Sequence, residues 1–384
     1  CTLCLALVTA LTCLAAVPAQ GADLASVQGA VQALGIMTGD ENGNMNLTAP
    51  ITRAQFSKML VMASPYKDSV SSGISNYSLF SDVRRGHWAT EYIRVAVEQG
   101  WVTGYSDGTF RPDQTIKLEE AAASLLRLLG YENSDLVGSY PAAQINKFLA
   151  LDLGDGITVT QGQLLTRGDC MYIFYNLMTA RTKEGQAYLT TLGYSLNAAG
   201  EIDLVGLLNG AMEGPVVASS GWQSQVGFNT ASATVYRNGG ESTLSAVQNQ
   251  DVVYWSESMH TIWAYSDKVT GIYESAAPSA SNPTSVTVAG KTYEIETTEA
   301  AYQLSDLGGY QVGDSVTLLL GRNGGVAAVG EASLAQDLVY GVVLSVENTT
   351  YEDSDGNSYN TRTATIFGTD GNTYRYPVES RSLE

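Results

Sequence analysis

The chain has 384 residues, 15% of them charged, and carries a formal net charge of -19 at pH 7. A chain of this length predicts several domains rather than one small core. The acidic balance disfavours binding to nucleic acid or to anionic lipid, because like charges repel and no basic run offsets them. A solvated acidic exterior accounts for this charge without a specific cation-binding role.

The first 19 residues read CTLCLALVTALTCLAAVPA. An uncharged apolar run to Val17, followed by Pro18 and Ala19, is typical of a secretory signal peptide whose initiating Met and basic region are missing. We therefore expect cleavage after Ala19. A membrane anchor is an alternative, but the run is short for a span and lacks a basic stop. A lipoprotein cysteine at Cys13 is a third reading, which the residues before it fit poorly.

Cleavage there would remove three of the four cysteines and leave Cys170 alone, so the mature chain could form no intrachain disulfide. Phe174, Leu177 and Met178 share the apolar helical face of Cys170, which predicts a buried and inert thiol. No later apolar run is long enough to span a membrane.

Residues 23–66 form the first predicted helical unit. Thr52 and Gln55 make the pattern Thr-x-x-Gln, a capping box that sets the start of a helix. The helix that follows has its predicted buried stripe at Phe56, Met59, Leu60 and Ala63.

A linker rich in Ser and Gly, residues 67–78, is expected to be exposed and mobile, and it leads to a central unit at residues 79–132. There, one helix is predicted to end in a left-handed cap at Gly100. A second helix is predicted from near Thr115, because Pro112 prevents helix before it. The first of these helices has apolar residues at helical spacing at Trp88, Tyr92, Val95 and Ala96.

An internal repeat links these two units, which align without a gap through the loop and second helix at an offset of 65 positions. Residues 140–181 form a third copy, in which both helices survive but another loop replaces the central one. No single unit can bury its apolar face alone. The pairs that define the alignment are Gly39 with Gly104, Gly43 with Gly108, Met45 with Phe110 and Ile51 with Ile116.

The pattern of residue types changes after a connector at residues 182–213, which has one short predicted helix around 187–192. Beyond it, Val, Thr, Tyr and Trp alternate with polar residues between Gly, Asn and Ser turns, a pattern that predicts β-strands. Two similar segments, aligned at Asp251 and Asp314, indicate small repeated units. We assign three such β units, the last of them incomplete, to residues 214–268, 269–336 and 337–384, and we expect the natural protein to continue past Glu384.

The central unit carries an ordered set of residues at Phe80, Asp82, Val83, His87, Trp88, Ala89, Gly104, Tyr105, Asp107, Gly108, Thr109, Phe110 and Pro112. In this order and spacing, the unit resembles an S-layer homology (SLH) repeat, with which many Gram-positive surface proteins hold the cell wall. The resemblance covers about 23–180 and implies a pseudo-threefold SLH trimer, with second helices as prongs around a bundle of first helices. The expected fold class is therefore multidomain, α then β. The SLH repeats at 23–66, 79–132 and 140–181 are followed by small all-β, barrel-like units.

The resemblance implies a ligand role for an Arg in the family's Thr-Arg-Ala-Glu motif. It stands here as ITRAQ, with Arg53 and Gln55, and as LTRGD, with Arg167 and Asp169. A guanidinium fork suits the carboxylate of a pyruvylated sugar, and a helix N-terminus adds amide donors. The alternative is a structural Arg that pairs with a nearby carboxylate. The central unit has Leu118 at this position, so its groove is doubtful as a binding site.

The resemblance also implies a second ligand-facing cluster, in which Trp88 stacks on a sugar ring and Asp82 bonds its hydroxyls. Trp88 is equally compatible with a core position, and the loop glycines with turns that need a positive φ. The polysaccharide-binding residues expected in full are Arg53, Gln55, Asp82, Trp88, Gly104, Tyr105, Asp107, Gly108, Arg167 and Asp169.

Metal and catalytic sites are not expected. The clusters DENGN, residues 40–44, and DSDGN, residues 353–357, begin like calcium loops but lack the Glu at the twelfth position. His87 and His260 lie in unrelated contexts, which leaves no material for a His-based metal site or triad. An aromatic group in the first β unit could form a sugar-binding face, although core packing is the safer interpretation: Tyr254, Trp255, Trp263 and Tyr265.

These observations predict a secreted cell-surface protein that binds, without covalent linkage, a wall polysaccharide attached to peptidoglycan. We expect no enzymatic activity, no cofactor, no nucleic-acid partner and no transmembrane anchor in the mature chain. Two alternatives remain. The chain is the anchoring part of a surface enzyme whose catalytic domain lies beyond residue 384, or it is a structural S-layer subunit whose β units assemble laterally.

Overall fold

The computed structural model of the protein describes residues 23–70, 75, 77–331, 341–352, 358–368 and 373–378. The predicted signal segment and the DSDGN cluster lie outside the described residues. The described chain divides into two compact units. One consists of the residues up to Val31 with Leu47–Leu204, and the other of Gln32–Asn46 with the residues from Val205 onward.

Helices make up most of the ordered structure before residue 213. Each predicted repeat contributes two, and two short helices follow. Among the described residues, no helix is long and apolar enough to cross a membrane. The bounds are Leu24–Ala33 (α1), Arg53–Met62 (α2), Thr90–Glu98 (α3), Leu118–Leu128 (α4), Ala142–Ala150 (α5), Arg167–Thr179 (α6), Tyr188–Thr191 (α7) and Leu204–Gly210 (α8).

The second helices of the first and third repeats begin with capping boxes. The hydroxyl of Thr52 accepts a hydrogen bond from the N–H of Gln55, and Gln55 Oε1 accepts one from the N–H of Thr52, as predicted. Thr166 and Asp169 form the same reciprocal pair at the start of α6. These bonds satisfy N–H groups that a helix leaves unpaired at its first turn.

Main-chain hydrogen bonds join the three second helices at equivalent positions just before they begin. The N–H of Ile51 donates to the carbonyl of Leu165, that of Leu165 to Ile116, and that of Ile116 back to Ile51, at 3.1, 3.0 and 3.1 Å. All three side chains are buried. A second set of such bonds runs from Arg53 to Gln114, from Leu118 to Gln163 and from Arg167 to Ala49.

The apolar faces of the second helices form a common core in this unit. The predicted stripe of α2 is buried, and the rings of Phe56 and Phe174 lie 5.5 Å apart between α2 and α6. Cys170 is fully buried, and burial raises the pKa of its thiol, which confirms the prediction of a buried cysteine.

One prediction for the region before α3 is wrong, and one holds only in part. Trp88 does not lie on a buried helix face, because α3 begins only at Thr90 and the Trp88 side chain is 54% exposed. The helix starts late because the hydroxyl of Thr90 donates to the carbonyls of Arg84 and His87 and closes the turn before it. In the linker expected to be exposed, Ser75 is buried, whereas the other described residues, 67–70, 77 and 78, are exposed or half-buried. The predicted end of the helix is confirmed, since Gly100 has a φ of 74°.

The second unit contains most of α8, one further helix, Thr298–Gln303 (α9), and the strands. The described strands form two five-stranded sheets, of order β1-β4-β5-β2-β3 and β10-β9-β6-β7-β8, and a three-stranded sheet of order β11-β12-β13. Their bounds are Glu213–Val217 (β1), Thr234–Arg237 (β2), Gly240–Ser242 (β3), Val252–Ser256 (β4), Thr261–Tyr265 (β5), Lys268–Ala277 (β6), Ser285–Val288 (β7), Lys291–Glu294 (β8), Ser315–Leu320 (β9), Val326–Glu331 (β10), Gly341–Glu352 (β11), Ser358–Gly368 (β12) and Thr373–Pro377 (β13).

The described strands form no closed barrel, so the expectation of barrel-like units is not confirmed. The outer strands of the first sheet, β1 and β3, do not pair with each other. In the second sheet, one parallel bridge between Ile295 and Val326 links residues near its two edges, which is too little pairing to close it.

The aromatic group of the first β unit lies largely inside. Tyr254 and Trp255 are buried, and Trp263 and Tyr265 are partly buried against a cluster that includes Tyr254. The Tyr254 hydroxyl donates to Glu296 Oε2 at 2.7 Å, so it is bonded within the protein. Core packing, the safer interpretation of the sequence, is what the structure shows for Tyr254 and Trp255.

Asp251 and Asp314, the aligned positions of the first two β units, each close a turn of the same kind. A carboxylate oxygen of Asp251 accepts from the N–H of Gln248 at 2.9 Å, and one of Asp314 accepts from the N–H of Gln311 at 2.7 Å. The acid and its partner are three positions apart in both, which gives the repeat seen in the sequence a structural counterpart.

Candidate functional site

A groove of about 560 Å³ opens in the helical unit. Its walls come from all three repeats: the start of α2, the loop of the second repeat with α4, and the segment from Asn133 to Gln144 that leads into α5. Its charged lining residues are Arg53, Arg127 and Glu120, so two guanidinium groups face one carboxylate. The charged lining of the groove is therefore net positive, whereas the chain as a whole has a net charge of -19.

Arg53 is the most constrained side chain of this groove. It is 8% exposed, and its Nε and Nη2 donate to the carbonyls of Phe110 and Thr103 at 3.0 and 2.8 Å. Its Nη1 lies 3.4 Å from Glu120 Oε1. The guanidinium also lies over the rings of Tyr105 and Phe110, at 5.1 and 4.6 Å from their centroids. The alternative of an Arg paired with a carboxylate therefore describes much of its role.

Gly104 and Tyr105, both predicted site residues, also line the groove. A Cβ atom at Gly104 would lie 2.1 Å from the ring of Phe80, so no larger residue fits there without displacing that ring. The ring of Tyr105 carries the guanidinium of Arg111 at 3.8 Å on one side of the loop. The loop therefore presents a fixed edge to the groove.

Asp82, Asp107 and Gly108 hold that loop and lie outside the groove lining. The carboxylate of Asp82 accepts from the N–H groups of Phe110 and Arg111, at 2.8 and 2.7 Å. Asp107 accepts from the hydroxyl and the N–H of Thr109 and from Arg111, and these bonds, that of the hydroxyl first, lower its pKa from 3.8 to about 2. Gly108 has a φ of 80°. Their contacts support the turn interpretation.

Gln55 and Asp169 likewise lie outside the lining. Both are the third helical residue of a capping box, and their side chains bond the main chain at the helix start. The third residue of each helix start therefore has a local structural role.

Trp88 and Arg167 belong to a different surface. The ring of Trp88 lies 6.5 Å from that of Tyr92, which lies 5.8 Å from Lys58 Nζ. Burial, and then the charge of Arg167, lower the pKa of Lys58. Through this chain of neighbours, an exposed indole lies on the same side of the unit as two cations. Trp88 does not line the groove at Arg53.

Sequence reasoning missed one aromatic residue of the Arg53 groove, Tyr140. It is 58% exposed and lines the groove with Arg127 and Gln144. The signal was available, because GHWATEYI and GSYPAAQI align without a gap and place Tyr140 at the position of Trp88. Both residues stand two positions before their helix, α5 or α3. Burial and the charges of Glu119 and Glu120 raise the pKa of Tyr140.

The first calcium-like cluster is a self-contained turn. Asp40 accepts hydrogen bonds from the N–H groups of Asn42 and Asn44 and from the side chain of Asn46. Within the part of the chain that the structure describes, no three acidic, His or Cys side chains come together as metal ligands would. His260 is bonded to Ser232 Oγ at 3.0 Å.

Comparison with known proteins relates the helical unit to a family of surface-protein domains. Residues 29–57 and 79–122 match the family described as S-layer homology domain. The middle cell wall protein of Brevibacillus brevis is 28% identical over 180 residues, 47% of this chain and 17% of the relative. A cell surface protein of Thermoanaerobacter kivui is 30% identical over 40% of this chain and 19% of the relative.

A cellulosome-anchoring protein of Acetivibrio thermocellus is 31% identical over 28% of this chain and 24% of the relative. An endoglucanase of a Bacillus species is 33% identical over 26% of this chain and 10% of the relative. The chain thus spans less than a quarter of the length of each of these four relatives. Taken with the helical repeats and their loop, these matches show that the chain carries S-layer homology domains at residues 29–57 and 79–122.

Proposed function

We propose that this chain holds a secreted protein at the cell surface by binding a secondary wall polysaccharide, without a covalent bond, in the groove at Arg53. The S-layer homology match and the names of the relatives support a cell-surface, wall-anchoring role. The observation that carries the choice of site is the groove itself. It has a net positive charged lining and two Tyr rings in an otherwise acidic chain.

The residues divide into two roles in this proposal. Tyr140 offers a ring face for a sugar, whereas the ring of Tyr105 already carries Arg111 and contributes to the shape of the groove. Arg53 and Arg127 supply the positive field that an acidic group, such as a pyruvyl carboxylate, would meet. Asp82, Asp107 and Gly108 keep the loop in place. A pseudo-threefold arrangement of the repeats, supported by the cyclic main-chain bonds between Ile51, Ile116 and Leu165, brings the three walls together.

Trp88 and Arg167, with Lys58, form a second candidate surface for the same polymer. A solvent-exposed indole that is linked through Tyr92 to Lys58 suits a sugar ring that carries a carboxylate. The remaining predicted residues, Gln55 and Asp169, act in this proposal by fixing the helix starts from which Arg53 and Arg167 project.

Co-sedimentation tests this function. The probes are sacculi of Brevibacillus brevis and of Acetivibrio thermocellus, each used intact and after removal of the polysaccharide with hydrofluoric acid. We expect the chain to sediment with intact sacculi of at least one species and to stay in solution with the stripped sacculi. Equal sedimentation with both forms would contradict binding to the polysaccharide.

The protein held at the surface is either a structural surface-layer subunit or an enzyme. A structural surface-layer subunit would form ordered arrays on sacculi, visible by electron microscopy. The match to an endoglucanase favours, as a second candidate, an anchor within a surface enzyme. Arrays formed by this chain would support the first, and hydrolysis of carboxymethylcellulose by a longer protein that contains this chain would support the second.

A further inference from the structure

Gln144 contributes a buried amide to the Arg53 groove. It lies in the first turn of α5, is 5% exposed and lines the groove from the side of the third repeat. Its Nε2 donates to Asn133 Oδ1 at 3.2 Å. Its Oε1 is buried, and no donor among the described residues lies within hydrogen-bond distance of it.

An unpaired acceptor in such a place is costly. A buried carbonyl oxygen that loses its water and gains no partner destabilises the folded chain, and most buried polar atoms therefore have a partner. In the described part of the helical unit, Gln144 Oε1 is the one side-chain atom of this kind; the two others, Trp255 Nε1 and Arg322 Nε, belong to the β unit. The helical unit thus keeps its unsatisfied acceptor in the wall of its groove.

The neighbouring groups explain why the protein does not satisfy this oxygen itself. The donors of Arg53 point to the carbonyls of Phe110 and Thr103 and to Glu120, and Arg127 Nη1 donates to the carbonyl of Trp101. A donor group that enters the groove can therefore pair with Gln144 Oε1. In a carbohydrate, that partner is a hydroxyl or the N–H of an acetamido group.

The feature is also specific to this groove. The alignment that places Tyr140 over Trp88 places Gln144 over Tyr92, whose ring lies near Lys58 instead. The surface at Trp88 therefore offers a ring and a cation where the Arg53 groove offers an acceptor. The two surfaces would select different groups of one polymer.

We propose that Gln144 Oε1 accepts a hydrogen bond from a donor group of the sugar bound in the Arg53 groove and thereby sets its specificity. This inference rests on the proposed function and deepens it. Gln144 becomes a ligand contact supplied by the third repeat, while Arg53 acts mainly by positioning the groove wall.

The test compares two substitutions in the full chain, with intact sacculi of the species that wild type binds as the probe. Gln144→Met keeps the volume but removes the acceptor, and Gln144→Glu keeps an acceptor oxygen at the same place. We expect Gln144→Met to bind about 3- to 10-fold more weakly, as the loss of one neutral hydrogen bond predicts. Gln144→Glu keeps the acceptor and should bind more tightly than Gln144→Met, although its added charge costs some affinity for an acidic polymer. Gln144→Met should not unfold at lower temperature than Gln144→Glu.

Asn176→Leu serves as the matched control. Asn176 lies in the same repeat, donates to the carbonyls of Leu153 and Asp155, and does not line the groove. This variant should lose thermal stability and keep its affinity. Wild-type affinity in Gln144→Met would overturn the proposal, as would equal losses in Gln144→Met and Gln144→Glu, because a purely structural amide gives that result.

Two further outcomes separate the inference from the function on which it rests. Failure of wild type to bind any intact sacculi would contradict both the proposed function and the role of Gln144. Binding by wild type with no effect of Gln144→Met would remove only the inference. Competition with glucose and with N-acetylglucosamine then identifies the donor: stronger release by N-acetylglucosamine, lost in Gln144→Met, assigns the amide N–H, and equal release assigns a hydroxyl.

Discussion

Arg53 Nη1 lies 3.4 Å from Glu120 Oε1, across the groove wall that joins the start of α2 to the first turn of α4. The Arg53 side chain is 9% exposed and that of Glu120 24%, so the pair is largely shielded from solvent. The same guanidinium bonds two loop carbonyls. One side chain of the first repeat therefore holds both the loop and the second helix of the next repeat.

Arg53→Ala should lower the free energy of unfolding by about 2 to 4 kcal/mol, because it leaves Glu120 and two carbonyls without their partner. The free energy of unfolding of Arg53→Lys should lie between those of wild type and Arg53→Ala, because one ammonium group cannot reach three acceptors in different directions. Urea unfolding measures both. Unchanged stability in Arg53→Ala, with lost binding to sacculi, would instead make Arg53 a direct ligand contact.

Gly104→Ala should destabilise the chain by about 1 to 3 kcal/mol, because the new methyl group would overlap the ring of Phe80. Gly86→Ala is the matched control, since a Cβ atom there meets nothing within 4 Å. In the double variant with Phe80→Ala, adding Gly104→Ala should cost little further stability. Additive losses in this cycle would rule out the steric explanation.

Trp88→Ala should change the free energy of unfolding by less than about 1 kcal/mol, because the indole is 54% exposed. Trp101→Ala, the comparison, should cost about 3 to 5 kcal/mol, because that indole is 6% exposed. Thermal and urea unfolding of the two variants decide between a surface and a core role. A loss at Trp88 as large as that at Trp101 would restore the core interpretation.

Asp107 should make the loop sensitive to acid. Its pKa is lowered in the folded chain from 3.8 to about 2, so its charged form stabilises the fold above about pH 4, and this contribution is lost as the pH falls towards 2. Asp107→Asn keeps an acceptor for Thr109 but has no charge. Wild type should therefore melt above Asp107→Asn at pH 5, and the difference should shrink from about pH 4 and disappear only below about pH 2. A constant difference across this range would contradict the assignment.

Much of the helical unit was predictable because its signals are local. Thr52 and Gln55 define a helix start by their spacing, and Gly100 marks an end because a left-handed residue favours glycine. The same reasoning placed Trp88 wrongly. Its spacing fits the apolar face of a helix, but the bonds of Thr90 to Arg84 and His87 place the helix start after it.

The groove was harder to predict, because its walls come from three segments distant in sequence. Arg53 was identified from its motif, but neither its bonds to Phe110 and Thr103 nor its pairing with Glu120 follows from spacing. Tyr140 was recoverable from the alignment of the repeats. The unpaired oxygen of Gln144 was not, since it depends on where every neighbouring donor points.

The central claim is that the groove at Arg53 holds the wall polysaccharide, and filling that groove tests it most directly. Ala123 lines the groove from α4, whereas Ala150 is exposed at the end of α5 and does not line it. With both variants folded by circular dichroism, Ala123→Trp should bind intact sacculi at least about tenfold more weakly than wild type, a cost of about 1.4 kcal/mol. Ala150→Trp should bind as wild type does. Wild-type binding by Ala123→Trp would contradict the account.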